Sequence, residues 1–349
     1  GSITGAIGSV SSDDIQELPV TDAGSALQGR ATGVVALSAG NQPGEGVIIR
    51  VRGRRSLTAT NEPLFVVDGI PYDGNIADIN PRDIKSMEVL KDASATAIYG
   101  SRGANGVILI TTNRGGDMAT QISYSGHYGV TSALGLPDMM NGQEYYTLKE
   151  VGGRAFTQDE LDAHAAGVST DWVPLVLDNG SQQNHQLSVR GGNAKTAFAL
   201  SANYFNEQGI IKTQDFTRYT FRVNLDHQAT KRVRVGTSTQ ISHNTQNWAS
   251  NPFGTATAVS PLAVPYDAEG NIIYRPGADP LLWNPLADYI EGNLLDERVI
   301  LRVFSNIFTE IDILENLTYR LNFGPDMREA RRGIFQGSNS VARQGGVPL

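Results

Sequence analysis

Residues 62–112 constrain the fold more than any other part of the chain, because they place several short elements in close succession. The run 64–71 carries an Asp-Gly pair between apolar residues, which predicts a β-hairpin. Residues 87–91 predict a short strand, and the wholly apolar run 107–110 predicts a strand that is buried on both faces. Such short elements must pack against one another, so we expect a compact α+β unit.

A small helix and a glycine-rich turn join these strands. Asp92 is a residue type that begins helices, and Gly100 suits the left-handed position that ends one. Gly103 and Gly106 follow before the next strand. Spaced glycines also occur in phosphate-binding loops, but there they join a strand to the N-terminus of a helix. Here they join a helix to a strand, so we interpret them as structural and expect no nucleotide.

These motifs, in their order along the chain, resemble the plug domain of SusC/RagA-type TonB-dependent outer-membrane transporters. The resemblance is carried by residues 4–7, 26–30, 49–53, 63–71, 92–106 and 111–115. An ordered series of this length is far more specific than any single motif. It implies a plug domain over residues 1–116. The motif residues that it assigns a structural role are Asp68, Gly69, Asp92, Gly100, Arg102, Gly103, Asn105 and Gly106.

The composition narrows the classes of function. The chain has 349 residues, a net charge of −8 and no cysteine. An acidic balance argues against nucleic acid as a partner, since phosphate binding needs a basic surface. Thiolate metal sites are excluded, and the five histidines have no metal-ligand spacing. Signatures such as Gly-x-Ser-x-Gly and His-Glu-x-x-His are absent, so we expect no enzyme activity, no cofactor and no metal.

From about Thr120 onward, apolar and polar residues alternate, which is typical of strands with two unlike faces. In the clearest case, Tyr219 and Phe221 share one face of a strand, while Arg218 and Arg222 share the other. The pattern recurs often enough to predict seven strands. They contain, in order, Tyr124, Val189, Leu200, Phe221, Val235, Leu301 and Tyr319.

Alternation alone also fits a soluble β-sandwich with one wet face. The connections favour a membrane barrel instead, because long and short ones fall on opposite sides of the predicted sheet. We predict long extracellular loops at about 131–182 and 247–296, and tight turns at 191–195, 229–231 and 312–316. The strand over 216–227 has twelve residues, enough to cross a bilayer, which takes about 9–11.

Seven strands cannot close a wide barrel. Transporters of the resembled kind have about 22 strands around a plugged lumen, so we expect residues 117–349 to form only the N-terminal portion of the transmembrane β-barrel. An open strand edge is not tolerated in hydrocarbon, since every backbone amide there needs a partner. We therefore expect the sequence to be partial. The resemblance also implies a signal peptide, a small extension domain and a TonB box upstream of Gly1.

Polar and aromatic residues in the predicted loops are candidates for facing a substrate. They are Arg54, Arg55, Asn61, Tyr72, Asp73, Asn75, Trp172, Trp248 and Trp283. Loop residues often meet ligands, and tryptophan rings stack on sugars. Solvent exposure explains the polar residues equally well, and packing inside an ordered loop explains the tryptophans equally well.

The resemblance implies TonB-dependent import of an oligosaccharide or peptide across the outer membrane of a Gram-negative, Bacteroidetes-like cell. A SusD-type surface lipoprotein and the periplasmic TonB complex would be the partners. A siderophore or vitamin receptor of the same architecture is the nearest alternative. A soluble carbohydrate-binding β protein is the alternative from a different class.

Overall fold

The computed structural model describes residues 8–16, 22–40, 42–51, 53, 61–91, 93–248, 251–277, 279 and 281–349. It contains a small mixed sheet with its helices, here called the plug, and a larger antiparallel sheet, here called the wall. The plug strands are β1 (Gly8–Ser11), β2 (Val34–Ser38), β3 (Val47–Val51), β4 (Leu64–Val67), β5 (Ile70–Tyr72), β6 (Ile84–Leu90) and β7 (Val107–Thr112), with helices α1 (Ser12–Gln16) and α2 (Ala93–Tyr99).

The plug sheet has the strand order β1-β6-β7-β4-β5, and β2 pairs with β3 separately. β7 is central, parallel to β4 and antiparallel to β6, which explains why its first four residues, 107–110, are all apolar. β4 and β5 form the predicted hairpin, and the turn residues Asp68 and Gly69 have φ angles of 48° and 88°. These left-handed angles are those that an Asp-Gly turn adopts.

The apolar core of the plug lies between its sheet and the segments that cover it. Ile84, Met87, Val89 and Ile108 are each 0% exposed. Among the residues that the structure describes, Phe304 is the one wall residue in the buried part of this cluster. The plug therefore has a hydrophobic core that is almost entirely its own.

The wall consists of antiparallel strands that pair in sequence order. They are β8 (Met118–Thr131), β9 (Gly180–Gly192), β10 (Thr196–Gln208), β11 (Asp215–Gln228), β12 (Val233–Asn247), β13 (Leu294–Leu314), β14 (Leu317–Phe323) and β15 (Asp326–Gln336). The sheet does not close in the described chain, which bears out the predicted plug followed by an incomplete barrel wall.

The last two segments form one interrupted strand. Both pair with β13 in a single register, Ile307 with Phe323 and Phe304 with Asp326. Between them, Pro325 accepts a hydrogen bond from the backbone N–H of Ser305 at 2.9 Å. Proline has no N–H with which to return that bond, so the ladder breaks there. Eight segments thus correspond to the seven strands that the alternation predicts.

The two long connections lie on the same side of the wall and are folded. The first contains α3 (Gly142–Val151), α4 (Gln158–Ala165) and α5 (Trp172–Val176), and the second contains α6 (Phe253–Ala256). Capping boxes at Asn141 and Thr157 begin α3 and α4. Trp172 and Val176 pack against Val259 and Leu286 of the second connection. None of the described helices has the length and apolar character needed to cross a membrane.

The two faces of the wall differ in polarity. On β11, Tyr219 and Phe221 point outward and are 53% and 46% exposed, whereas Arg218 and Arg222 point inward and are 1% and 3% exposed. The neighbouring strands show the same pattern: the plug buries their inward residues, and their outward apolar residues are exposed. An apolar outer face and a polar inner face are the arrangement of membrane β-barrels.

Candidate functional site

Three aspartates of the plug make its principal polar contacts with the wall. The first, Asp68, lies in the turn of the β4–β5 hairpin. Its carboxylate accepts hydrogen bonds from the Thr112 backbone N–H at 3.0 Å, the Thr112 hydroxyl at 2.7 Å and the Ser238 hydroxyl at 2.6 Å. The side chain of Asn306 donates to the Asp68 backbone carbonyl at 2.9 Å. The hairpin turn is therefore tied to both the plug sheet and strands β12 and β13.

Asp83 and Asp68 share one cation of the wall. The Arg222 guanidinium lies 3.9 Å from an Asp68 carboxylate oxygen and 3.7 Å from an Asp83 carboxylate oxygen. Asp83 also accepts hydrogen bonds from Gln186 at 2.9 Å and Ser201 at 2.7 Å. Because Asp83 directly precedes β6 and Asp68 begins the β4–β5 turn, one wall residue joins two separate parts of the plug.

Asp78 provides the third contact, nearer the long connections. It accepts a hydrogen bond from Asn244 at 2.7 Å and lies 3.9 Å from the Arg302 guanidinium. The same guanidinium lies over the Tyr72 ring, 4.2 Å from its centre, and pairs with Asp326 at 2.5 Å. Asn75 caps the short helical turn that presents Asp78, through a bond from the Ala77 N–H at 2.9 Å. Local turn chemistry thus aims this carboxylate at the wall.

The surroundings shift the pKa values of two of these aspartates in opposite directions. Burial raises the pKa of Asp78 above the usual carboxyl range, and the charge of Arg302 offsets this only in part. Burial acts in the same sense on Asp68. There the charge of Arg222 and the hydrogen bonds from Ser238 and Thr112 outweigh it and lower the pKa.

A cavity of about 390 Å³ opens between the plug and the wall above these contacts, and we call it the outer cleft. Its lining comes from strand ends that carry the long connections, such as Gln246 on β12 and Arg298 on β13. The cleft is also lined by Glu45, Asp73, Asn75, Asp78, Phe216, Asn244, Trp248 and Arg328. A second cavity of about 690 Å³ adjoins it and shares Asp73 and Asn75.

Comparison with known proteins agrees with this architecture. The family model described as TonB-dependent Receptor Plug Domain matches residues 1–107. TonB-dependent receptor P26 of Formosa agariphila is 33% identical over 97% of this chain and 35% of its own length. TonB-dependent receptor SusC of Bacteroides thetaiotaomicron is 36% identical over 64% of this chain and 23% of its own. The chain belongs to the SusC-like TonB-dependent receptors.

Solved structures of this receptor fold agree with the sequence relatives. The structure of the RagAB peptide transporter superposes with a TM-score of 0.82 at 24% identity, over 96% of this chain and 42% of that one. The ferric citrate transporter FecA superposes with a TM-score of 0.56 at 13% identity, over 95% of this chain and 40% of that one. The fold is therefore nearer to the first than to the second. The chain spans about a third of the length of the relatives P26 and P3.

The structure brings four of the candidate substrate-facing residues of this receptor chain together. Asp73, Asn75 and Trp248 line the outer cleft, and Tyr72 lines the adjoining cavity with Asp73 and Asn75. Asn61 is half-buried beside Glu62, which also lines that second cavity. Arg54 and Arg55 lie outside the described residues.

The other two tryptophans pack inside the folded connections of the receptor. Trp172 is 2% exposed and donates to the Ser260 carbonyl at 3.0 Å. Trp283 is 5% exposed and donates to the Asn339 carbonyl at 3.0 Å. Neither ring has a face open to a sugar. The surroundings of both tryptophans fit the interpretation that they pack inside an ordered loop.

The glycine-rich turn of the receptor's plug has backbone conformations that favour glycine. Gly100 ends α2 with φ 59°, and Gly106 has φ 91°. A Cβ added to Gly106 would lie 3.0 Å from the Cβ of Val51. Asp92 lies outside the described residues, whereas Arg102 and Asn105 line the larger cavity. Arg102 and Asn105 therefore line a cavity, whereas the sequence predicted only a structural role for them.

Several residues of the outer cleft are not among the candidates predicted from the sequence. Arg298 lies on the polar side of the alternation in β13, so the period-two pattern carried a signal for it. Asn244 likewise alternates with the outward residues of β12. Glu45 and Arg328 had no such signal, because the cleft forms only when the plug and the wall pack together.

Proposed function

We propose that this chain is the plug and first part of the wall of an outer-membrane importer that takes up oligomeric nutrients with energy from TonB. The observation that carries the proposal is the polar contact surface between the plug and the wall. Three plug aspartates there meet arginines and amides of the wall, while the plug keeps an apolar core of its own. Such a plug can separate from the wall with little exposure of that core, to which the wall contributes Phe304.

Physical reasoning supports gating by the plug. A barrel of about 22 strands encloses a channel wide enough for oligomers, and it would leak unless filled. Hydrogen bonds and ion pairs exchange for bonds to water at small net cost, whereas separating an apolar interface costs free energy in proportion to its area. Arg222 with Asp68 and Asp83 is suited to hold the plug at rest and release it under a pull from the periplasm.

The outward face of the wall supports a location in the outer membrane. Tyr124, Tyr219 and Phe323 point outward and are 66%, 53% and 65% exposed. An apolar face of this size is unfavourable in water and favourable against lipid. This outer face is therefore consistent with insertion of the wall in the outer membrane.

The outer surface of the first long connection is suited to a protein partner, for which we propose a SusD-type lipoprotein. Leu134, Leu148 and Val151 are 91%, 57% and 82% exposed there. Leu148 and Val151 lie on α3, and Leu134 lies in the segment that precedes this helix. Exposed apolar residues on an ordered element are typical of protein interfaces.

The experiment uses the full-length receptor in cells that express its partners. Deleting the upstream TonB box should leave substrate binding at the cell surface intact and abolish accumulation inside the cell. A matched variant, Leu148→Asp with Val151→Asp, should weaken capture of the lipoprotein while the receptor remains folded. Uptake that persists without the TonB box would show a passive pore and refute the proposal.

A siderophore receptor of the same architecture is the second candidate. Its support is the shared fold with the ferric citrate transporter FecA. The higher TM-score with the RagAB peptide transporter, and 36% identity to SusC, favour import of oligomers. Accumulation of a labelled ferric siderophore by cells expressing the receptor would reverse this preference.

A further inference from the structure

Strands β2 and β3 of the plug are joined by a turn that meets the outer ends of β10, β11 and β12. We call residues 42–46 the tip. The wall binds the backbone of the tip. The Gln246 side-chain nitrogen donates to the Pro43 carbonyl at 2.7 Å, and the Glu207 carboxylate accepts a bond from the Gly44 N–H at 3.1 Å. These bonds therefore depend on the backbone path of the tip.

That backbone path requires glycine. Gly44 has φ 75°, a left-handed angle that side chains disfavour. A Cβ at this position would lie 2.3 Å from the Phe216 ring of β11. Phe216 is 5% exposed and packs against Phe205 of β10, with the ring centres 6.0 Å apart. The tip thus fits against an aromatic pair of the wall that leaves no space for a side chain at residue 44.

The same aromatic pair leads to the turn of residues 75–78, which presents the third aspartate. The Arg218 guanidinium lies 5.0 Å from the centre of the Phe205 ring and donates to the Ala77 carbonyl. Within the plug, a Cβ added to Gly46 would lie 3.1 Å from the Cβ of Ala77, so the tip also packs directly on this turn. One route through the wall and one through the plug therefore join the tip to residues 75–78.

The tip contacts the wall far from the contacts of Asp68. Gln246 follows Ser238, the partner of Asp68, by eight positions on β12, which is about 26 Å of strand. Two attachments at different levels fix the orientation of the plug, whereas one would let it tilt. The strands that hold the tip each have a paired neighbour on both sides, so these contacts do not depend on where the described wall ends.

We propose that the tip is a latch, which holds the outer end of the plug on the wall at rest and opens together with the Asp78 contact when the plug moves. The inference rests on the proposed function, because it adds a holding point to the same gating plug. The alternative is a local packing contact. In that case a change in the tip would affect the tip alone, whereas a latch also protects residues 73–83.

The test measures hydrogen exchange in the purified full-length receptor, without TonB and without cargo. Gly44→Ala should move the tip off Phe216 and break its two bonds to the wall. We expect exchange to become about tenfold faster in the tip and in residues 73–83. Gly29→Ala is the matched control, because Gly29 has φ 72° and a Cβ there meets nothing within 4 Å. It should leave exchange in residues 73–83 unchanged.

A disulfide tests the latch in the closed direction. A Cβ at Gly209, in the β10–β11 connection, would lie 3.0 Å from the Pro43 Cγ, so cysteines at these two positions are close enough to be joined. The chain itself has no cysteine. In a receptor that carries Arg222→Met, oxidation of Pro43→Cys with Gly209→Cys should slow exchange in residues 73–83 about tenfold, and reduction should reverse this. Gly209→Cys alone should show no dependence on oxidation.

The inference is overturned if Gly44→Ala and Gly29→Ala exchange alike in residues 73–83, or if oxidation of the cysteine pair leaves exchange there unchanged. If Gly44→Ala prevents folding, the disulfide decides, since it adds a bond to a folded receptor. Uptake that persists without the TonB box would refute the proposed function and leave these exchange rates as they are. The two failures are therefore distinguishable.

Discussion

The interior of the plug and its surface against the wall are held together by different forces. Inside, Met87 and Ile108 are 0% exposed in a purely apolar environment. At the surface against the wall, Arg222 lies between two carboxylates and the neighbouring contacts are hydrogen bonds. An apolar core resists opening because it loses burial at once, whereas a polar interface can exchange its partners for water. Separating the plug from the wall therefore costs less free energy per unit of buried area than opening the plug core.

Removing the shared cation should have the largest effect on the interface. Arg222→Met leaves Asp83 buried without this counter-charge and removes one of the two arginines that lie 3.9 Å from Asp68, the other being Arg114. Breaking a buried ion pair typically costs about 3–5 kcal/mol. We expect the plug to loosen from the wall while remaining folded. Hydrogen exchange in the full-length receptor should rise in residues 73–83 and stay low in β6 and β7.

Arg234→Met is the matched control for that variant. Arg234 pairs with Glu310 at a site where its side chain is 45% exposed, and exposed pairs contribute about 0–1 kcal/mol. Equal hydrogen exchange in residues 73–83 of the Arg222→Met and Arg234→Met variants would contradict a special role of the buried Arg222 contacts.

A cavity in the core should produce the opposite pattern. Met87→Ala removes a fully buried side chain and should cost about 2–5 kcal/mol of plug stability. Here exchange should rise in β6 and β7 together with the rest of the plug, because the plug unfolds as a unit. Lys85→Ala, at an exposed position of the same strand, should leave exchange unchanged. A Met87→Ala plug that separates from the wall while folded would remove the distinction between the two regions.

A substitution in the glycine-rich turn should also act on the core and have a smaller effect. Gly106→Val places a side chain against Val51 and forces a β-branched residue into φ 91°, with a backbone cost of about 1–3 kcal/mol. We expect less folded receptor in the membrane. Gly116→Val is the control, because a Cβ there meets nothing within 4 Å. Normal abundance of the Gly106 variant would show that the turn tolerates side chains.

The smallest expected effect concerns pH. The pKa of Asp68 is lowered in the folded receptor, so its contribution to stability is present above the pKa of the unfolded state and is lost as pH falls through the folded pKa. The pKa of Asp78 is raised, so its contribution is present at acid pH and is lost as pH rises through the folded pKa. Asp68→Asn should therefore lower the unfolding temperature at neutral pH, and Asp78→Asn should raise it.

Both of these differences should shrink in acid. Thermal unfolding of the full-length receptor from neutral to acid pH measures them. Shifts of the same sign in the two variants would mean that the two carboxylates experience similar surroundings.

Local signals in the sequence predict much of the plug and the wall. The Asp68-Gly69 turn, the apolar run of β7 and the alternation of the wall strands each depend on neighbouring residues, so the sequence is enough. The contact of Asp68 with Arg222 joins residues that lie far apart in the chain, and no local pattern encodes it. The outer cleft is of the same kind, since its opposite charges come from two different parts of the fold.

The helices of the first long connection are a different case. The sequences that begin at Asn141 and Thr157 contain capping boxes, each with a glutamate three residues later, and so they carried a readable signal for α3 and α4. The residues of the second connection that pack against the first carry no such local signal in the sequence. Which apolar loop residues meet is decided by the pairing of the strands β9 to β12 that lie between the two connections.

The shared core of the two long connections constrains how this receptor can diversify. Trp172 and Val176 from one connection are buried by Val259 and Leu286 from the other, and the Tyr289 hydroxyl donates to the Val176 carbonyl at 2.7 Å. Replacing either connection alone by that of a relative would leave half of a core facing water. Chimeras that alter cargo preference should therefore exchange residues 132–179 and 248–293 together, as a single unit.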